Sequence, residues 1–170
     1  MSHNANKGGS LLPALCSIIG TAILIGVIIL LIPMSTPRLF GYDMYNVVSG
    51  SMAPEIPVGS MIFVENVDPY ELTEGDIIAF YSNGNVVTHR VTSNNAFSGE
   101  LTTKGDANLE EDIHSVSYKE VIGIVKYHIS YLGDISSHLT SGFGKIYLLA
   151  LIVLGLLLHL LAVRLRDLLD

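Results

Sequence analysis

The stretch Asp76-Ile77-Ile78-Ala79-Phe80-Tyr81-Ser82-Asn83-Gly84-Asn85-Val86-Val87-Thr88-His89-Arg90-Val91-Thr92 decides the fold class. Asp76–Tyr81 and Val86–Thr92 are rich in β-branched and aromatic residues, and Asn83-Gly84 between two such apolar runs predicts a β-hairpin. Working outward, similar short stretches recur at Tyr45–Val48, Met61–Val64, Glu100–Thr103 and Val121–Tyr127. Pro57-Val58-Gly59 and Glu74-Gly75-Asp76 supply further turn chemistry between them. Residues 42–131 therefore read as one mainly β domain, without heptads, low-complexity tracts or an internal repeat.

Beyond that domain the composition changes. Hydrophobic residues make up 49% of the 170 residues and charged ones 15%, with a mean hydropathy of +0.50. The apolar excess collects at the two ends. Leu11–Ile32 is an uncharged run of 22 residues, about 33 Å as a helix against a hydrocarbon core of about 30 Å. Pro13 falls in its first turn, where a missing N–H matters little, and Pro33 is expected to close it. A cleavable leader would have a shorter apolar core followed by small residues. Here Pro33-Met34-Ser35-Thr36-Pro37-Arg38 follows instead, so the run reads as a retained anchor. Ile146–Val163 is a second run, of 18 residues, about 27 Å as a helix. His159 inside it is expected at the interface or against the other helix. The organisation expected is a cytoplasmic tail 1–10, a span 11–32, the β-domain 42–131, a Ser/Gly-containing linker 132–145, a span 146–163 and a cytoplasmic tail 164–170. Lys7, Arg164 and Arg166 favour both termini in the cytoplasm, a bias that Arg38 and Lys145 keep modest. The chain is thus expected to be multi-pass, in contact with membrane lipid.

Net charge is −7; between Pro33 and Lys145, 14 acids face 6 bases, or −8. With no basic stripe to neutralise phosphates, nucleic acid is not an expected partner; a solvated acidic surface accounts for the excess. Cys16 is the single cysteine, which excludes an intrachain disulfide and a cysteine-rich zinc site. Nothing points to a metal or cofactor.

Three segments carry residue types suited to chemistry: Ser49-Gly50-Ser51-Met52-Ala53-Pro54, Val86-Val87-Thr88-His89-Arg90-Val91, and Lys104-Gly105-Asp106-Ala107-Asn108 continuing to Glu111-Asp112-Ile113. A serine hydroxyl needs an adjacent base to act as a nucleophile. An imidazole, with an ordinary pKa of about 6.5, suits that task, and a carboxylate on its far nitrogen would fix the tautomer. Residue types alone also fit blander roles: a turn serine beside Gly50, an outward strand histidine, an Asx-type turn at Asp106.

Resemblance shifts that balance. Ser49–Pro54, following an apolar span, resembles the nucleophile box of type I signal peptidases. Glu74-Gly75-Asp76-Ile77-Ile78-Ala79-Phe80 resembles the family's next box, Val87–Val91 its general-base box, and Lys104-Gly105-Asp106 its final Gly-Asp box. All four occur in order, at family-like spacing. His89 stands where the usual bacterial enzymes carry a lysine, which resembles the endoplasmic-reticulum and archaeal type, found also in some spore formers. Lys104 precedes the Gly-Asp box and does not match the dyad lysine.

The resemblance implies a small signal-peptidase-like β-domain flanked by N- and C-terminal transmembrane helices, without the large inserted domain of many Gram-negative relatives. It implies Ser51 as nucleophile and His89 as base, with Asp112 as the His89 partner and Asp106 in support. The reverse pairing stays open, with Glu111 beside Asp112. The Ser51 N–H and the Ser49 hydroxyl would form the oxyanion hole. The implied activity is removal of N-terminal signal peptides from secreted and membrane precursors with small side chains at the −1 and −3 positions. Such a substrate would dock as an extended chain, with Tyr45–Val48 as one candidate edge. Secretion-machinery or complex subunits are further partners. The site would be the outer face of a cell membrane, or the lumen in a eukaryote, and Ser51 lies only 19 residues after Ile32. The alternatives are an inactive relative serving as a scaffold or assembly subunit, a partner-binding membrane-anchored β-domain, and a related self-cleaving fold, typically soluble with a lysine base.

Overall fold

The structure, a computed structural model, describes residues 11–35 and 37–169. In chain order, α1 (Leu11–Ser35) leads to β1 (Tyr42–Asn46), β2 (Met61–Glu65), β3 (Ile77–Ser82), β4 (Asn85–Asn95), β5 (Glu100–Lys104), β6 (Val116–Ser117) and β7 (Val121–Ile129). Two helices follow, α2 (Leu132–Thr140) and α3 (Gly142–Leu169). The chain divides into a helical unit, residues 11–35 with 138–169, and a β unit, residues 37–137.

In the β unit the predicted hairpin forms. Asn83 and Gly84 take φ of 50° and 78°, the positive values of a two-residue turn whose twist matches that of the flanking strands. Ser82 then faces Asn85, and β3 pairs with β4 as far as Ile77 and Arg90. The whole sheet is antiparallel, in the order β1-β2-β7-β3-β4-β5-β6. Apolar clusters lie on both faces. Leu72, Ile78, Phe80, Val91, Leu101 and Val116 form one, and Met52, Ile56, Ile62, Val64 and Ala79 the other. Ile78, Ala79 and Phe80 alternate between them, because successive strand residues point to opposite faces. β4 outruns the expected Val86–Thr92 because it serves two partners in turn, β3 through residues 85–90 and β5 through residues 90–95.

The expected linker 132–145 is instead α2 and the first turn of α3. Leu132 and Gly133 are buried, and the Asp134 N–H donates to Gly59 O at 3.1 Å. Ser141 acts as a helix cap: the Gly144 N–H donates to its Oγ at 3.1 Å, which supplies one of the acceptors that a helix start lacks.

In the helical unit both helices are long and apolar enough to cross a membrane. α1 runs past Pro33 to Ser35, since losing one backbone hydrogen bond need not end a membrane-type helix. α3 begins before the expected Ile146 and continues through Arg164 and Arg166, so the expected tail is helical as far as Leu169. The expected tail 1–10 lies outside the described residues. Gly20 and Gly155 lie at a close approach of the two helices. A Cβ on Gly20 would stand 2.8 Å from Gly155 O, and one on Gly155 would stand 2.9 Å from Leu24 Cγ. Small residues permit such packing where lipid offers no hydrophobic drive between helices. His159 faces the other helix, its Nε2 3.0 Å from Thr21 Oγ1.

Candidate active site

Ser51 sits on a loop closed at its neck. Val47 N–H donates to Ser60 O, and Gly59 N–H donates to Val47 O, both at 2.9 Å. Inside the loop Ala53 N–H donates to Gly50 O and Ile56 N–H to Met52 O. Met52 and Ile56, each 1% exposed, plug the loop into the core beneath it. A half-buried serine is thereby held beside a fixed methionine. Met52→Ala is expected to lower stability by about 2–4 kcal/mol through the cavity it opens. Met52→Leu, which conserves volume, is expected to lose less than about 1.5 kcal/mol. Thermal melting of the two variants checks this.

His89 projects from β4 on the face of Val91, with its ring 6.2 Å from that of Phe80, edge to face. Its Nδ1 lies 2.5 Å from Asp112 Oδ2. Asp112 is itself clipped to β5. Its N–H donates to Thr103 O at 2.8 Å, and its Oδ2 accepts from Thr103 Oγ1 at 2.7 Å. With Asp112 accepting from Nδ1–H, the lone pair sits on Nε2. Among the described residues Nε2 has no hydrogen-bond partner. No buried side-chain nitrogen or oxygen among them is left unsatisfied, so this nitrogen reaches solvent.

Ser51 and His89 meet at Gly105. A Cβ there would lie 2.7 Å from Ser51 O and 3.0 Å from His89 Nε2, so only glycine leaves the space open. Ala107 N–H donates to Ser51 O at 2.8 Å and fixes the loop from the other side. Among the described residues Ser51 Oγ makes no direct hydrogen bond to His89; its one partner is Ser49 Oγ at 3.5 Å. Resting active sites often hold such pairs apart until substrate tightens them.

Asp106 takes a different partner from Asp112. Arg90 donates to both of its oxygens, from Nε at 2.8 Å and from a terminal nitrogen at 2.6 Å. The other terminal nitrogen reaches Gly75 O at 2.8 Å. Strand alternation is the cause: adjacent residues His89 and Arg90 leave β4 on opposite faces, each toward its own aspartate. The Asp106 hydrogen bond raises the Arg90 pKa above the ordinary arginine value, outweighing the desolvation that opposes it. A raised pKa is lost only when pH climbs through it, so the guanidinium stays charged over any working pH. Sequence reasoning missed Arg90 and Thr103. Thr103, fully buried, is a polar residue at an inward strand position shared with Leu101, which was the available signal.

Two clefts flank β4. One, of about 420 Å³, runs between residues 45–49 and 85–88, with Ser49, Ser51, Val86 and Thr88 in its lining and Met52 and Ile62 below. The other, of about 830 Å³, is lined by Phe80, Val87, His89 and residues 107–114. Along residues 85–89 the edge of β4 away from β3 carries no paired strand among the described residues.

Fold and site together define a class: small antiparallel β-domains carried between apolar helices, with a loop serine and a strand histidine meeting at one sheet edge. The family described as signal peptidase, peptidase S26, matches residues 18–129, and the chain belongs to it. The chain is similar to signal peptidase I W of Bacillus subtilis, 42% identical over 89 residues, which cover 50% of this chain and 47% of that protein. It is also similar to the signal peptidase complex catalytic subunit of Komagataella phaffii, 29% identical over 130 residues, which cover 66% of this chain and 75% of that protein. The first match therefore spans about half the length of the Bacillus protein.

Proposed function

We propose that this chain is a membrane-anchored serine endopeptidase that removes signal peptides from precursor proteins by a Ser51–His89–Asp112 mechanism. The observation that carries the reading is the His89 ring, bonded to Asp112 through Nδ1 at 2.5 Å and, among the described residues, unbonded at Nε2, which faces the Gly105 gap shared with Ser51. Ser51 Oγ attacks the scissile carbonyl carbon while His89 Nε2 takes its proton. The carbon–nitrogen bond then breaks, and His89 returns that proton to the departing amine. Water gives a proton to His89 and attacks the Ser51 ester carbon. The carbon–Oγ bond breaks as His89 passes that proton to Ser51 Oγ, and the signal peptide leaves as an acid that ionises to its carboxylate. Asp112 stabilises the imidazolium in both halves. The developing oxyanion is received by the Ser51 N–H and the Ser49 hydroxyl; losing one such donor slows turnover by about 10²–10³. An inactive scaffold would have no use for an imidazole poised in this way.

The substrate lies as an added strand in the cleft between residues 45–49 and 85–88, bonding to the open β4 edge. The buried Met52 and Ile62 beneath this cleft leave room for small side chains, in keeping with the −1 and −3 preference of the family. The two apolar helices cross the cell membrane with both termini cytoplasmic and the β-domain outside, or in the lumen of a eukaryotic cell. By likeness to the Komagataella subunit, membrane subunits of a secretion complex are candidate partners. Purified full-length chain in detergent is expected to cut a synthetic precursor after alanines at −1 and −3, with the new N-terminus read by sequencing. Leucine at −1 or −3 is expected to slow cleavage by about 10²-fold. Absence of cleavage, or indifference to those side chains, overturns the reading.

A further inference from the structure

We infer that the cleft between His89 and residues 107–114 receives the first residues of the mature chain, and that Glu110 and Glu111 bias it against acidic segments there. This rests on the peptidase reading above and adds the leaving side of the substrate to it. The two clefts adjoin along β4: Val86 and Thr88 line the first, His89 lines the second, and Val87 lies between them and lines both. Ser51 belongs to the first and His89 to the second. When the peptide bond breaks, the acyl half stays esterified to Ser51. The amine half leaves with a proton from His89 Nε2, so it departs on the His89 side. The His89 side chain is only 10% exposed, and its unpartnered nitrogen belongs to a group lining the second cleft. Its open Nε2 faces the Gly105 gap beside Ser51, so an amine protonated there leaves along the side of the ring that the second cleft adjoins.

The walls of this cleft give it a charge. Glu110 and Glu111 are exposed along it, while Asp112 is engaged by His89 and Thr103. His114 is the other ionisable group in the 107–114 wall. Leu109 and Ile113, 96% and 95% exposed, flank the acids with apolar surface. A mature segment carrying Lys or Arg, and the ammonium group formed at the cut, meet opposite charge; a segment carrying Asp or Glu meets like charge.

The test uses full-length chain and two precursors identical up to the scissile bond, with Lys-Lys or Glu-Glu as the second and third residues after it. Wild type is expected to favour the Lys-Lys precursor in kcat/KM by about three- to tenfold, the scale of two exposed ion pairs. Salt at about 1 M, where the Debye length is about 3 Å, is expected to bring the ratio towards one. Glu110→Gln with Glu111→Gln is expected to do the same at low salt. Placing the same charged pairs ahead of the −3 position is expected to give a ratio that the double variant leaves unchanged. A wild-type ratio near one, or a ratio insensitive to salt and to the double variant, overturns the leaving-side assignment while the peptidase reading stands. Absence of any Ser51-dependent cleavage overturns both.

Discussion

Ser51→Ala is expected to abolish signal-peptide removal, lowering kcat by about 10⁶, the scale at which serine-triad catalysis is lost, while the protein stays folded. The two halves of that expectation come from different atoms. Catalysis needs Oγ, the one atom removed. The loop is held by others: the buried Met52 and Ile56 side chains, the neck bonds of Val47 and Gly59, and the Ala107 N–H on Ser51 O. Since Oγ has a single partner among the described residues, Ser49 Oγ at 3.5 Å, its loss is expected to change stability by no more than about 0.5 kcal/mol. His89→Ala is expected to inactivate equally, and the double variant to be no worse than either, because groups acting as one unit do not add. His89→Ala also strands Asp112, so Ser51→Ala is the cleaner probe. Single-turnover processing assays beside thermal melting check both halves; full activity in Ser51→Ala would remove the proposed mechanism.

What could be read from the chain before its structure was what local chemistry declares. Asn83-Gly84 between apolar runs demanded a hairpin, and two long uncharged runs demanded membrane-length helices. Partner choice is not local, and it was not legible. β7, last in sequence, enters the sheet between β2 and β3, and no property of Val121–Ile129 names those neighbours. β6, at two residues, is too short for any periodicity to register. The serines of 132–145 looked like linker composition, yet Ser137 accepts from Asn46 at 2.9 Å and Ser141 caps α3, since serine favours caps as much as loops. In the site, resemblance brought forward Ser51, His89 and both downstream aspartates. Which aspartate meets the histidine depended on the face of β4 from which His89 leaves, and on Arg90, its immediate neighbour, occupying Asp106 from the other.

Those two aspartates give the second large effect, as a contrast between isosteric substitutions. Asp112→Asn is expected to lower kcat by about 10⁴, since an amide neither fixes the required tautomer nor stabilises the imidazolium. Its volume is unchanged and Thr103 Oγ1 can still bond the amide oxygen, so the melting temperature is expected to move little. Asp106→Asn is expected to do the reverse. It leaves the Arg90 guanidinium, held at 2.6 and 2.8 Å, without a carboxylate. Hydrogen bonds to charged groups contribute about 1.5–3 kcal/mol, reduced here to about 1–2 kcal/mol because Arg90 is partly solvated. For a β unit of this size each kcal/mol corresponds to about 4–8 °C of melting temperature. Its effect on kcat is expected to stay below about tenfold, because Asp106 touches neither Ser51 nor His89 and reaches the site through its neighbours, Gly105 and the Ala107 N–H on Ser51 O. A kcat loss of about 10⁴ in Asp106→Asn with near-normal Asp112→Asn would assign the histidine's partner the other way. A similar modest loss in both would mean that His89 works without a carboxylate, as a dyad with Ser51 alone.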